Sequence, residues 1–190
     1  MKKHILLLTA LLLLVLCACG QKTEPAEAEL PAVSETALIG AFNGEDLNGE
    51  AVDETILKNA AVTMINCWGT FCQPCLSELP ELEALRQELA DRDFQLLGIA
   101  IDLRDRYDRI DPAQKALAQE QLAAAGVTYR VFSLSAEPMP ELLAQATAVP
   151  MTVFVTADGR QIGDIYYGKR DAAAWLEIAE NAMKAVEKGA

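Results

Sequence analysis

Histidine is almost missing from this sequence. The only one among 190 residues is His4, which lies in an N-terminal stretch with the pattern of a cleaved leader. The mature chain is therefore expected to contain none. That excludes Ser-His-Asp and Cys-His catalytic pairs, and zinc sites with histidine ligands. What remains is chemistry that cysteine performs largely by itself.

The sequence also lacks an apolar run long enough to span a bilayer. Residues 5–16 form an uncharged, mostly aliphatic run that follows the basic Lys2 and Lys3. About twelve residues are too few, because a spanning helix needs roughly 20. The pattern predicts an export signal over residues 1–18 rather than an anchor helix.

The run ends in Leu16-Cys17-Ala18-Cys19, which resembles the bacterial lipobox. The resemblance implies cleavage before Cys19 and attachment of a lipid to Cys19. Cys17 is a poorer candidate because the bulky Leu16 would occupy the cleavage position. The alternative is a plain signal peptide with incidental cysteines. With the lipid, we expect the protein at the extracytoplasmic face of the bacterial cell membrane.

Residues 19–37 mix Glu, Ala, Pro and Ser without hydrophobic periodicity, which is typical of a flexible tether. Residues 38–190 have a length that suits one domain with a substantial core. We therefore expect a signal peptide, a tether and one folded domain.

Basic residues are few, with 16 Lys and Arg against 28 Asp and Glu and a formal net charge of −12. Loss of Lys2 and Lys3 with the leader would take this charge to about −14. Nucleic-acid phosphates demand Lys and Arg, so we expect no nucleic-acid partner.

The chemistry is predicted to lie in the stretch Trp68-Gly69-Thr70-Phe71-Cys72-Gln73-Pro74-Cys75. Residues 60–67 before it are apolar and rich in β-branched side chains, as in a buried strand. Residues 76–89 after it carry leucines at helical spacing. The two cysteines are thus expected at a strand-to-helix junction.

This position favours a reactive thiolate. A cysteine in the first turn of a helix faces unpaired N–H groups and the positive end of the helix dipole. Cys72 is the predicted attacking sulfur, and Cys75, one turn further, is placed to resolve a mixed disulfide with a partner protein. Pro74 fits the first turn, where no intrahelical N–H is lost.

The rest of the domain alternates between strand and helix patterns. A β-hairpin with Asn-Gly turn signals is predicted over residues 38–51, followed by a helical turn at 53–58. The other predicted elements are strands at 94–101, 127–134, 151–156 and 161–167, helices at 112–125 and 172–188, and a short helix after Pro138 or Pro140. This alternation of strands and helices predicts an α/β sheet covered on both faces.

Residues 66–75, Glu78 and the segment Ala148-Val149-Pro150-Met151 together resemble the thioredoxin fold. More narrowly, they resemble the membrane-tethered TlpA and ResA branch of extracytoplasmic thiol-disulfide oxidoreductases. The resemblance covers residues 38–190 and implies a thioredoxin-like fold with an N-terminal β-hairpin and a central helix-strand insertion at residues 112–134. It also implies a cis Pro150 opposite the cysteines, with the Val149 backbone presented to an extended substrate.

Four further residues are candidates at this site. Trp68, Phe71, Gln73 and Pro74 flank or separate the cysteines and are predicted to contact the substrate. Relatives usually have Trp where this chain has Phe71, and Gln73 also departs from better-known members.

Two other residues near the motif have competing interpretations. Glu78 has either the role of a proton partner for Cys75, as the resemblance implies, or that of a solvated helix charge. Cys67 fits a small buried hydrophobe better than a third redox thiol.

The favoured function is reduction of disulfides in exported proteins. The resemblance implies a membrane electron donor of the CcdA or DsbD type, and clients such as apocytochrome c or a methionine sulfoxide reductase. We expect no cofactor and no metal. Alternatives are thiol oxidation by the same residues, or a solute- or metal-binding lipoprotein with the two cysteines as soft ligands. A peroxidase is less favoured because neither cysteine lies in a peroxiredoxin-type Pro-x-x-x-Thr-x-x-Cys pattern.

Overall fold

The computed structural model describes residues 29–189, and the predicted signal peptide and Cys19 lie outside them. Its centre is one eight-stranded mixed sheet with the strand order β1-β8-β7-β4-β5-β6-β2-β3. The strands are β1 Val33–Ala37, β2 Asn43–Asp46, β3 Ala51–Asp53, β4 Val62–Trp68, β5 Phe94–Ala100, β6 Arg130–Leu134, β7 Met151–Thr156 and β8 Arg160–Tyr167.

Helices connect several of these strands. They are a 3-10 helix at Glu54–Asn59, then α1 Gln73–Glu88, α2 Pro112–Ala124, α3 Glu141–Ala144 and α4 Ala172–Gly189. No helix within residues 29–189 combines the length and apolarity needed to cross a bilayer.

The bounds of α2 follow from its caps. The Asp111 side chain accepts hydrogen bonds from the N–H groups of Ala113 and Gln114, and Pro112 occupies the first turn. Gly126 follows the helix with a φ of +71°, a conformation that glycine adopts without steric cost. The predicted helix and its end are therefore confirmed.

Both faces of the sheet are covered, as predicted. Leu79, Leu82 and Leu85 of α1 and Trp175 of α4 pack on one face, in a buried cluster that also includes Leu122 of α2. On the other face, a second cluster draws on the 3-10 helix, on α3 and on the segment before β2. The strand β4 lies between these two layers, and all seven of its residues are buried.

The central insertion is present. From β5 the chain passes through α2 to β6, which pairs parallel with β5 and antiparallel with β2. The insertion thus adds a strand between the central sheet and the N-terminal hairpin of β2 and β3. This confirms the predicted thioredoxin-like fold with a helix-strand insertion.

Three differences from the sequence predictions have an identifiable physical cause. The tether was predicted to continue to residue 37, but Val33–Ala37 pairs antiparallel with β8. Gly44 was predicted in a turn but lies within β2, where a Cβ would stand 2.7 Å from the carbonyl oxygen of Ser133. Glycine is required at position 44 because β2 and β6 approach each other closely there, whereas the hairpin turn uses Gly49 at a φ of +87°. The predicted strand 127–134 begins only at Arg130, because the Thr128 N–H donates to Glu83 instead of a strand.

Candidate redox-active site

The two cysteines lie where the chain leaves the middle of the sheet. After β4 the chain turns at Gly69, whose carbonyl accepts a hydrogen bond from the Cys72 N–H over 3.0 Å. Cys72 is the N-cap of α1, and its Sγ accepts from the Cys75 N–H over 3.3 Å. Pro74 stands in the first turn, as predicted. The helix N-terminus therefore presents an N–H donor to the sulfur of Cys72.

Cys72 and Cys75 form a disulfide. Their Sγ atoms are 2.07 Å apart and their Cα atoms 5.2 Å apart. Cys75 is 1% exposed and Cys72 is 6% exposed, so Cys72 is the more accessible of the two. This arrangement can open and close a disulfide within one helical turn.

A backbone segment from the other half of the chain lies opposite Cys72. The Val149–Pro150 peptide bond is cis, as predicted, and Pro150 is buried at the start of β7. The carbonyl oxygen of Val149 is 3.7 Å from the Sγ of Cys72. The structure therefore brings the predicted segment and the cysteine pair together.

The predicted substrate-contact residues fall into two groups. Phe71 is 67% exposed, and Gln73 and Pro74 are also exposed, so these three form a rim beside Cys72. Trp68 is 0% exposed, so the prediction that it contacts a substrate is wrong. Side chains alternate along a strand, and the last residue of β4 points into the cluster beneath α1 and α4.

Cys67 has the buried, inert environment expected for it. It lies on the opposite face of β4 from Trp68, is 2% exposed and forms no disulfide. Burial raises the pKa of the Cys67 thiol to about 12. At neutral pH it is therefore a neutral thiol, unsuited to attack on a disulfide.

The loop before Cys72 is held by residues that the sequence analysis did not single out. Asp102 Oδ2 accepts hydrogen bonds from the Thr70 N–H over 3.0 Å and from the Thr70 Oγ1 hydroxyl over 2.6 Å. Gln121 of α2 donates from Nε2 to the Thr70 carbonyl over 3.1 Å. The available signal was weak: Asp102 is a polar residue just beyond the end of a buried strand.

Glu78 is deeply buried, with 1% of its surface exposed, three residues after Cys75 on α1. Its Oε1 accepts hydrogen bonds from the Arg170 N–H over 2.8 Å and from the Trp175 Nε1–H over 2.9 Å. Burial raises the pKa of the Glu78 carboxyl above its usual range, and these N–H donors and the Arg170 charge limit the rise. The alternative of a solvated helix charge is therefore wrong.

Across residues 29–189, no group of three or more His, Cys, Asp or Glu side chains is placed to hold a metal ion. The two cysteines at the site are bonded to each other.

Similar proteins place this geometry in context. The thiol-disulfide oxidoreductase ResA of Bacillus subtilis (strain 168) is 28% identical over 101 residues, which cover 53% of this chain and 56% of ResA. The thiol:disulfide interchange protein DsbE of Yersinia pestis is 36% identical over 98 residues, or 48% of this chain and 50% of DsbE. The chain spans about half the length of the curated relatives it matches.

A solved structure extends the similarity to the fold. It is a thiol:disulfide interchange protein of the thioredoxin family from Chlorobium tepidum TLS, with a TM-score of 0.58 at 23% identity. The match covers 83% of this chain and 99% of that one. The predicted thioredoxin-like fold and the resemblance to ResA are both confirmed.

A family model matches residues 36–160, which include both cysteines of the disulfide and Pro150. These residues make up well over half of the chain. The match therefore shows that the chain belongs to the AhpC/TSA family.

Proposed function

We propose that this protein is a thiol-disulfide oxidoreductase that reduces disulfides in exported proteins while tethered to the extracytoplasmic face of the membrane. The observation that carries the proposal is the Cys72–Cys75 disulfide at the N-terminus of α1, with the Cys75 N–H on the sulfur of Cys72. An N–H donor at a helix N-terminus stabilises a thiolate in the reduced state. The similarity to the thiol-disulfide oxidoreductase ResA and to the thiol:disulfide interchange protein DsbE supports the same chemistry.

The reaction consists of two exchanges. The Cys72 thiolate attacks one sulfur of the substrate disulfide, and the other substrate sulfur leaves as a thiolate and takes up a proton. Cys75 then loses its proton and attacks Cys72, which forms the Cys72–Cys75 bond and releases the first substrate sulfur. The substrate gains the two electrons that the enzyme sulfurs lose, its two released thiolates take up protons from solvent, and the Cys75 sulfur gives up one proton.

The site has a means of holding an extended substrate. Val149 presents its backbone beside the Sγ of Cys72, where a substrate strand could form main-chain hydrogen bonds. The exposed ring of Phe71 supplies an apolar rim on the other side of the cysteine. Together they favour an unfolded or locally extended segment around the substrate cysteine.

Glu78 is proposed to take the proton that Cys75 loses. Its raised pKa brings the carboxyl closer to the range in which it can both accept and release a proton. Glu78 and Cys75 lie three residues apart on α1 and each is 1% exposed, which keeps the transfer away from bulk water.

The location and the partners rest on the N-terminal sequence and on the resemblance to the TlpA and ResA branch. The lipobox at Cys19 supports lipid anchoring, and the branch supports a donor of the CcdA or DsbD type with apocytochrome c or methionine sulfoxide reductase as clients. A fatty acid label incorporated by the full chain and lost in Cys19→Ala would support the anchor. A label retained by Cys19→Ala, or absent from both, would contradict it.

Reduction of insulin disulfides tests the activity. The purified protein should catalyse it with dithiothreitol as the reductant, and Cys72→Ser should abolish it. Cys67→Ala is the matched control because it removes a thiol that the reaction does not use. Activity that survives in Cys72→Ser, or stoichiometric metal in the purified protein, would overturn the proposal.

The reduction potential of the pair tests the direction. A value near −270 mV, about that of thioredoxin, supports a reductant, whereas a value near −120 mV, about that of DsbA, would indicate an oxidant.

A further inference from the structure

The two oxygens of the Glu78 carboxylate have unequal environments. Oε1 accepts two hydrogen bonds, from the Arg170 amide and the Trp175 indole. Oε2 is fully buried and has no hydrogen-bond partner at normal distance, because the Asn66 amide, which also lowers the pKa of Glu78, donates its 3.0 Å hydrogen bond to Thr152. A buried carboxylate oxygen without a donor is costly when charged, so a proton on Glu78 belongs on Oε2.

The indole of Trp175 is immobilised by rings on two sides. Its ring centroid lies 6.2 Å from that of Phe154 and 5.8 Å from that of Tyr166, the latter pair edge to face. The guanidinium of Arg170 covers it at 4.9 Å and also lies 5.1 Å from the Tyr166 centroid. The indole N–H therefore has a fixed direction, toward Oε1 of Glu78.

We propose that Trp175 is a positioning residue for the redox cycle: with the Arg170 amide it holds Oε1 of Glu78, so that Oε2 alone exchanges a proton with Cys75. This inference rests on the proposed function, in which Glu78 serves Cys75. It adds a residue of α4, 97 positions after Glu78, that acts through the Glu78 carboxylate.

The proton balance of the resolving step shows where Trp175 acts. The Cys75 thiol passes its proton to Oε2 while its sulfur forms the bond to Cys72, and the departing substrate thiolate is protonated from solvent. When a donor dithiol later reduces the disulfide, Oε2 returns the proton to the Cys75 sulfur. The carboxylate stays anchored through Oε1 in both directions.

Other charged and titratable groups also face this region. Burial raises the pKa of Tyr129, and the charges of Glu83 and Glu78 add to the rise. Burial is also the main reason why the pKa of Tyr166 is raised. The groups that act on Glu78 are Arg170 before α4, the Trp175 indole and the Asn66 side chain on β4, and Tyr129 before β6 is affected by the charge of Glu78.

The direction in which Trp175 shifts the pKa of Glu78 follows from its hydrogen bond. An N–H donor favours the charged carboxylate, so the Trp175 indole lowers the pKa of Glu78 against the effect of burial. Trp175→Phe keeps a ring in the aromatic cluster and removes the donor. The pKa of Glu78 should then rise by about one to two units, because the free energy of a hydrogen bond to a charged group corresponds to a pKa shift of about that size.

NMR on the oxidised protein measures this titration without interference from the site thiols. The chain has two tryptophans, so its indole N–H signals are two, and Trp68 Nε1 has no hydrogen-bond partner. The Trp175 indole and the Arg170 amide should shift with one common pKa, and the Trp68 indole should not follow it. Glu78→Gln should remove the titration from both reporters.

The variants then separate positioning from packing. In Trp175→Phe the Arg170 amide still reports on Glu78, and its midpoint should move upward together with the Glu78-dependent inflection in the pH profile of insulin reduction. Tyr166→Phe, which removes a hydroxyl from the same cluster and none of the hydrogen-bond donors to Oε1 of Glu78, should leave both midpoints unchanged.

A Trp175 indole signal that ignores the Glu78 titration in the unmodified protein would overturn the inference, even if Trp175→Phe fails to fold. An equal shift in Tyr166→Phe would also overturn it. Absence of insulin reduction with an intact NMR titration would overturn the proposed function instead, so the two failures are distinguishable.

Discussion

At the scale of single residues, the burial and the raised pKa of Glu78 arise only in the folded structure. Its position three residues after Cys75 is visible in the sequence, and the helix that joins them was predicted. Its burial is not visible, because Trp175 and Arg170, which cover it, are more than 90 positions away. Trp175 showed in the sequence only as an apolar residue of the last helix.

Glu78→Gln should lower the pKa of the Cys75 thiol in the reduced protein. A carboxylate near a thiol disfavours the thiolate, and the amide removes that negative charge while keeping the shape of the side chain. We expect the pKa of Cys75 to fall by about one unit. The thiol titrates at pH values above the raised pKa of Glu78, where the carboxyl of the parent protein is charged.

Thiolate absorbance in the ultraviolet, followed against pH in Cys72→Ser to isolate Cys75, measures this effect. Glu88→Gln makes the same charge change at the exposed end of α1 and serves as the matched control. Equal curves for Glu78→Gln and the parent protein would show that Glu78 and Cys75 do not interact.

The helices and strands were largely predictable because local patterns agree with the tertiary structure. The strand β7 matches its predicted range, and the beginnings of α2 and α4 follow from a proline and from apolar periodicity. The predictions fail where long-range pairing determines the secondary structure. At β1, for example, residues 33–37 form a strand only because they pair with the edge of β8.

The inserted helix α2 has an unpredicted contact with the active-site loop. Gln121 and Asp102 together make three hydrogen bonds to Thr70, two residues before Cys72. Sequence patterns identify such a unit but not which of its polar side chains turn inward. We infer that this contact fixes the approach of the chain to Cys72.

Thr70→Val should therefore loosen that loop. The change keeps the side-chain shape and removes the partly buried 2.6 Å hydrogen bond from Oγ1 to Asp102. The free energy of unfolding should fall by about 1.5–3 kcal/mol, the usual range for a hydrogen bond to a charged group, and insulin reduction should slow.

Urea unfolding and the insulin assay measure the two effects. Ser77→Ala, which removes an exposed hydroxyl hydrogen-bonded to the Pro74 carbonyl on α1, should change stability by less than about 0.5 kcal/mol. A Thr70→Val protein as stable and active as this control would exclude a holding role for the contact.

At the scale of the whole molecule, a buried carboxylate joins α1 to the connection between α2 and β6. Glu83 of α1 accepts hydrogen bonds from Arg86 and Gln87 and from both the N–H and the hydroxyl of Thr128, in the connection to β6. Burial opposes its charge, but these donors outweigh burial and lower the pKa of Glu83 to about 2.

The stability of the protein should consequently depend on Glu83 in a pH-dependent way. A carboxylate with a depressed pKa in the folded state contributes stability above its unfolded pKa of about 4.3 and loses it as the pH falls toward about 2. Glu83→Gln should lower the free energy of unfolding by about 1–3 kcal/mol at pH 7, with a smaller loss near pH 3.

Urea unfolding at both pH values, with the exposed Glu120→Gln as the control for loss of one charge, measures the difference. A deficit of Glu83→Gln that is as large at pH 3 as at pH 7 would indicate a packing effect rather than a charge effect.

The central claim is that the sulfur of Cys72 exchanges electrons with other proteins through a mixed disulfide. Cys75→Ser removes the resolving thiol and should make that intermediate accumulate in cells that produce the full chain. Adducts should disappear on reduction and in the Cys72→Ser, Cys75→Ser double variant, and mass spectrometry should locate the link at Cys72. A Cys75→Ser protein without adducts, or with adducts linked through Cys67, would contradict the account.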